Sequence, residues 1–245
     1  MEITAEKIMQ QLSAGTQVAG VIAVFGEEGY YKDKIAAALP RAVFGDAALE
    51  DREITVFERD TDIKEVSAAV NTYPFFSGRS LVIIKDEKLW GGKDGGEKRK
   101  QQQEELAELL ADVPEHCQVL LLGEKIDKRG KLYKSLLKTA AMVECKSLKS
   151  YQLKPWLDEQ AALRGCRFDY EASQTIMEYL SVTDNAPLLL LEQEIEKLSV
   201  YAGERTIWTK DDIAQTYAEL PEHSSFAPLN ALAQKKWGQP LERLG

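Results

Sequence analysis

Cysteine and histidine are scarce in this chain. Its 245 residues include three cysteines, Cys117, Cys145 and Cys166, and two histidines, His116 and His223. The cysteine count is odd and no C-x-x-C spacing occurs, so neither a disulfide framework nor a zinc site is expected. Cys117 and Cys145 sit at the ends of apolar runs and read instead as small core residues. No stretch approaches the roughly eighteen apolar residues of a membrane span, and the N-terminus MEITAEKIMQQLSAGTQ lacks a basic start followed by an apolar run. A cytoplasmic chain with no membrane contact is predicted. Positive charge is also short: 31 Lys and Arg against 40 Asp and Glu leave a formal net charge of −9. That balance excludes strong sequence-independent DNA binding by the isolated chain, because neutralising phosphates needs a basic surface. Any nucleic-acid role would be local or shared. No internal repeat is visible.

What is present is ordinary globular material, 44% apolar and 29% charged, enough for one large domain or two modest ones. Five short β-type runs, VAGVIAVFG (18–26), EITVFERD (53–60), SLVIIKDE (80–87), CQVLLLGE (117–124) and AAMVECKSL (140–148), alternate with helical periodicity. Near-continuous apolar strands separated by helices predict a parallel sheet covered on both faces. Ile63, Val66, Val70 and Tyr73 fall on one helical face, with Asp62 and Glu65 as an N-terminal capping box and Pro74 as the stop. A Gly-rich loop with a basic knot, WGGKDGGEKRK, leads into a helix that turns Leu106, Leu109 and Leu110 inward. After about Lys149 the strand signal vanishes and an all-helical second domain is predicted. The expected boundaries are 1–148 for the α/β domain, 149–218 for the helical domain, and 219–245 for a linker and the start of a third helical region bearing Phe226, Leu229 and Leu232.

The first strand runs into GEEGYYKD (26–33), where a phosphate-binding loop G-x-x-x-x-G-K-[ST] would lie. Gly26 and Lys32 match, whereas Tyr31 replaces the second glycine and Asp33 the magnesium-binding hydroxyl. A tyrosine crowds backbone that must approach phosphate closely, and a carboxylate repels the same oxygens. Lys32 alone reads as a solvated helix lysine. SLVIIKDE ends in Asp86 and Glu87, the arrangement of a magnesium-binding acidic strand end, but without a competent loop the pair has no substrate to act on. No Ser-His-Asp or Cys-His set appears, and neither a catalytic residue nor a cofactor is assigned.

The segment TYPFFSGRS (72–80) sets two phenylalanines side by side between a proline and a Ser-Gly pair. One such ring could cap the chain's own sheet. Two neighbours at a turn are hard to bury in one core, so a pocket in a partner is the expected destination for Phe75 and Phe76. Elsewhere, Lys125 to Lys154 concentrates positive charge, with Lys128, Arg129, Lys131 and Lys134 as possible DNA-facing groups and a solvated helix face as the plainer reading. An atypical P-loop ATPase and a DNA-binding accessory module therefore stand as alternatives.

GEEGYYKDKI (26–35), NTYPFFSGRSLVIIKD (71–86), DKRGKLYKSLLKTAAMVECKSL (127–148), LLLLEQEIEKLSVYAG (188–203) and IWTKDDI (207–213) occur in that order. Together they resemble the delta-subunit family of the bacterial DNA polymerase III clamp loader, over nearly the whole chain. The resemblance implies an AAA+-type α/β domain with a degenerate nucleotide site, a small helical lid and a helical collar, of which this chain carries the beginning. It implies a non-catalytic subunit of a DNA-directed DNA polymerase holoenzyme that binds the beta sliding clamp and opens it for loading onto primed DNA. Implied partners are the tau/gamma and delta prime subunits, reached through the collar. The clamp contact falls on Phe75 and Phe76, flanked by Tyr73, Pro74 and Arg79. Nucleotide-sensing positions fall near Gly123 and Leu189, neither of which offers a suitable side chain.

Overall fold

The computed structural model describes residues 1–15, 18–85, 87–90, 96–181 and 188–216. The chain divides into two compact units, Met1–Lys146 and a second that begins at Ser147. The third region expected over 219–245, with Phe226, Leu229 and Leu232, lies outside the described residues, as do Asp86, His223 and the glycine-rich loop over 91–95.

Five strands build the first unit: β1 (Val21–Phe25), β2 (Glu53–Phe57), β3 (Ser80–Ile84), β4 (Cys117–Gly123) and β5 (Ala141–Glu144). They form one parallel sheet in the order β2-β3-β4-β1-β5. All five residues of β1 and of β3 are buried, as expected of central strands covered on both faces. The edge strand β2 departs from that expectation. It is paired only with β3, and Ile54 and Val56 stay 40% and 44% exposed. Apolar composition alone does not reveal which strand has a neighbour on one side only.

Strand alternation divides the core. Val21, Ala23, Phe25, Val82, Ile84, Val119 and Leu121 face one side, where they pack with Val66 and Val70 of α3 (Ile63–Asn71), Leu106 of α5 (Glu97–Leu109), and Leu132 and Leu136 of α6 (Lys131–Thr139). Trp90 joins that core from the short α4 (Glu87–Trp90), so the tryptophan read as part of a loop is a packing residue. The alternate residues turn to the opposite side, where α1 (Ala5–Ser13) and α2 (Gly29–Phe44) bury Ile8, Leu12, Ile35 and Leu39. Asp62 caps α3, its carboxylate accepting from the Lys64 N–H at 3.0 Å.

The second unit is helical, with α7 (Ser150–Leu163), α8 (Tyr170–Ser181), α9 (Leu188–Ala202) and α10 (Lys210–Thr216). One feature breaks the all-helical expectation: β6 (Arg167–Phe168) pairs in parallel with β7 (Ile207–Trp208). Two-residue strands carry no period for a sequence reading to detect. Their pairing seats Phe168 edge-on against the fully buried Trp208, ring centroids 5.1 Å apart. At the start of α10, the buried Asp212 accepts from the Thr209 N–H and hydroxyl, both at 2.9 Å, and pairs with Arg205 at 2.6 Å.

Candidate docking tip and closed loop

The α3 helix returns the chain to the end of the sheet where strands begin. It stops at Asn71, and the Thr72 N–H and hydroxyl both donate to the Ala68 carbonyl, at 3.0 and 2.7 Å. Pro74 is buried and anchors the turn. The next two side chains point outward, Phe75 at 87% exposure and Phe76 at 68%. Their rings sit edge to face with centroids 5.1 Å apart, a favourable aromatic geometry. Leaving both in water forgoes roughly 1.5–3 kcal/mol of burial per ring. Beneath them one carboxylate oxygen of Glu53, the first residue of β2, accepts the N–H groups of Phe75 and Phe76 at 2.5 and 3.1 Å. Gly78 then adopts φ +65°, and the Ser77 hydroxyl donates to the Arg79 carbonyl at 2.6 Å, closing the turn into β3.

Tyr73 corrects one reading. It stands beyond the helix, 71% exposed, with its ring 5.1 Å from that of His116, and so does not share the buried face of Ile63, Val66 and Val70. Helical spacing continued past Thr72 misplaces it, because the backbone has already become extended there. Tyr73 and the exposed Arg79 both line a cleft of about 860 Å³ that Gly78, His116 and Gln118 also border.

At the opposite end of the sheet, the GEEGYYKD loop turns its polar groups inward. The Gly26 N–H donates to the Glu124 carbonyl at 3.0 Å, and the Glu28 N–H to the Cys145 carbonyl at 3.1 Å. Gly26 has φ +130°, and a Cβ there would stand 2.0 Å from the Cys145 carbonyl oxygen. This glycine is required by the approach of its own neighbour. The carboxylate of Glu28, itself buried, caps α2 by accepting the Tyr30 N–H at 2.9 Å. An anion of the chain thus sits at the helix N-terminus, where a phosphate would otherwise bind. Lys32 is not the free solvated lysine of the plain reading; its half-buried ammonium donates to the Gly26 carbonyl at 2.8 Å. Tyr31 is buried and Asp33 exposed. Burial pushes the Cys145 thiol up to about 12, with Glu28 adding to the rise and Lys32 opposing it. A thiol held neutral in this way is a packing group.

Gly123 and Leu189, the sensing positions, bring no polar side chain to the loop. Gly123 closes β4, paired with Phe25, and Leu189 is 44% exposed in the first turn of α9. Glu87 opens α4. Among the described residues no cluster of three or more His, Cys, Asp or Glu could hold a metal ion, and no helix is long and apolar enough to cross a membrane.

Four lysines of the basic segment are paired with acids, of which Glu104 lies outside the segment on α5. Lys128 and Lys146 both reach Glu144, at 2.8 and 3.1 Å, Lys131 reaches Glu104 at 2.6 Å, and Lys154 reaches Asp158 at 2.7 Å. Arg129 and Lys134 are exposed. Two residues that organise these regions, Glu28 and Glu53, escape a sequence reading. Glu28 occupies a variable position of the loop motif, and Glu53 lies 22 residues from Phe75.

Residues 25–146 match the family model described as DNA polymerase III, delta subunit. The DNA polymerase III subunit delta of Bacillus subtilis (strain 168) is 28% identical over 229 residues, covering 92% of this chain and 65% of that protein. The chain thus spans slightly under two thirds of that relative's length. Among solved structures, the Bacillus subtilis DNA clamp loader delta protein superposes with a TM-score of 0.69 at 24% identity, over 97% of this chain and 69% of that one. A chain of the E. coli MS115-1 HORMA:CdnC:Trip13 complex shares the fold at a TM-score of 0.52 and 14% identity, over 82% of this chain and 74% of its own. With the parallel sheet and the ordered motifs in agreement with the match to the family model, residues 25–146 of the chain belong to the DNA polymerase III delta-subunit family.

Proposed function

We propose that this chain binds the beta sliding clamp by inserting Phe75 and Phe76 into apolar pockets of the clamp, and that it holds the clamp open for loading onto primed DNA without hydrolysing ATP itself. The carrying observation is the tip: two adjacent aromatic rings, both exposed, on a turn anchored by a buried proline and a carboxylate. A pair of apolar rings presented this way has its packing partner outside the chain, and a rigid presentation lowers the ordering cost of binding. Tyr73 and Arg79 flank the rings as secondary contacts. Non-catalytic action is supported by the closed loop, whose lysine and whose Gly26, Glu28 and Tyr30 amides are already engaged within the chain. That argues against the atypical ATPase reading. The ion pairs of Lys128, Lys131, Lys146 and Lys154 argue likewise against a dedicated DNA-binding module. Assembly with tau/gamma and delta prime subunits, contact with primed DNA inside such an assembly, and a cytoplasmic location complete the proposal.

The deciding experiment titrates a beta clamp against the parent chain and against a Phe75→Ala/Phe76→Ala variant. Two buried rings at roughly 1.5–3 kcal/mol each predict about a hundredfold to ten-thousandfold loss of affinity. Circular dichroism and melting should stay unchanged, since exposed rings contribute little to the fold. Equal clamp affinity in the variant refutes the docking assignment, and a collapsed melt would mean the rings are core.

A further inference from the structure

We infer that Glu53 is the positioning residue of the docking tip, an inference that rests on the docking role proposed for Phe75 and Phe76. Among the described residues its carboxylate is the one side-chain group from a distant part of the chain that is bonded to the tip backbone, and it takes two consecutive N–H groups on a single oxygen, at 2.5 and 3.1 Å. Successive N–H groups converging on one anion curl the backbone into a concave turn. With both amides directed inward at Glu53, the two side chains leave on the outer surface. The rest of the turn includes Ser77 and a Gly78 at φ +65°, residues that impose little direction of their own. Glu53 also opens an edge strand, and among the described residues its ion pairs include no cation. Its carboxylate is thereby committed to the amides. A carboxylate accepting backbone N–H groups makes a stronger bond than a neutral acceptor, so the tip is set before any partner arrives.

The test compares the parent with Glu53→Ala and Glu53→Gln in two measurements. The first, hydrogen exchange of individual amides in the free chain, needs no partner. Glu53→Ala should lower the protection of the Phe75 and Phe76 amides on the order of tenfold while those of Val82 and Ile84 in β3 stay as in the parent. The second, clamp affinity, should fall roughly 5- to 100-fold in Glu53→Ala, the cost of ordering two rings on a loosened turn. Glu53→Gln retains an acceptor oxygen and should recover most of both. A uniform loss of protection through β3 would make Glu53 a general stabiliser and overturn the inference. So would parent-like affinity in Glu53→Ala where Phe75→Ala/Phe76→Ala loses binding, a result that leaves the docking reading standing. If neither variant changes clamp affinity, both readings fall.

Discussion

Replacing Gly26 by alanine should destabilise the first unit severely, for reasons unrelated to nucleotide. The added Cβ would stand 2.0 Å from the Cys145 carbonyl oxygen, 2.7 Å from its carbon and 2.9 Å from its nitrogen, all backbone atoms. A comfortable separation is about 3.5 Å, so the strand ends must part by roughly 1.5 Å. That opening strains two hydrogen bonds between these segments, Cys145 N–H to the Phe25 carbonyl at 2.6 Å and Glu28 N–H to the Cys145 carbonyl at 3.1 Å. Each costs about 1–2 kcal/mol when left unmade, and an L-residue held at φ +130° adds about 1–2 kcal/mol more. The total is roughly 3–6 kcal/mol, or about 6–24 °C in melting temperature for a unit of this size. Gly29→Ala is the control. Nothing lies within 4 Å of a Cβ at Gly29, and its φ is not in the left-handed region. That variant should be neutral, or up to about 1 kcal/mol more stable, because alanine is the better helix former. Thermal melts and urea midpoints of the three proteins decide the matter. If Gly26→Ala melts within a few degrees of the parent, or Gly29→Ala falls as far, the close-approach account is wrong.

Glu28→Ala should cost about 1 kcal/mol through loss of the α2 cap without creating a nucleotide site; magnesium-dependent ATPase activity that disappears in Lys32→Ala would refute the closed-loop reading. Acid stability should track Asp212 and Glu144. Burial alone would raise both, but Thr209 and Arg205 hold Asp212, and Lys128 and Lys146 hold Glu144, below their ordinary values. The unfolded chain therefore binds these protons more readily, so their contribution is complete above the ordinary carboxylate range and is lost as pH falls through about 4 and below. Asp212→Asn should lower the melting temperature of the second unit at pH 7, by an amount that shrinks as pH falls below about 4; a difference that does not change with pH would contradict the assignment. Binding of the free chain to DNA should be weak and fall steeply with salt, and a submicromolar Kd at physiological salt would contradict the charge argument.

Much of the fold is legible in the sequence because central strands bury both faces and therefore read as unbroken apolar runs, as VIAVF and SLVII do. The exposure of Phe75 and Phe76 is legible for the opposite reason, since two adjacent rings at a turn have no plausible home inside. What escapes is whatever depends on a second segment. The acids that pair with the basic stretch include Glu104, and the anchor of the tip is Glu53, neither of which neighbours its partner in sequence. The edge position of β2 depends on sheet order, which composition does not encode. Helical spacing places Tyr73 on the helix face only by running two residues past Asn71, where the backbone no longer obeys it.

The placement of the tip has a consequence for how the domain can be altered. Glu53 and Ser80 begin β2 and β3, whereas Gly26 follows the end of the parallel β1. Strands of five residues separate the two edges by about 17 Å, with a packed core between them. Perturbations that far apart, sharing no partner, combine additively to within about 0.5 kcal/mol. Changes within residues 73–79 can therefore be measured without correction for changes at the other edge.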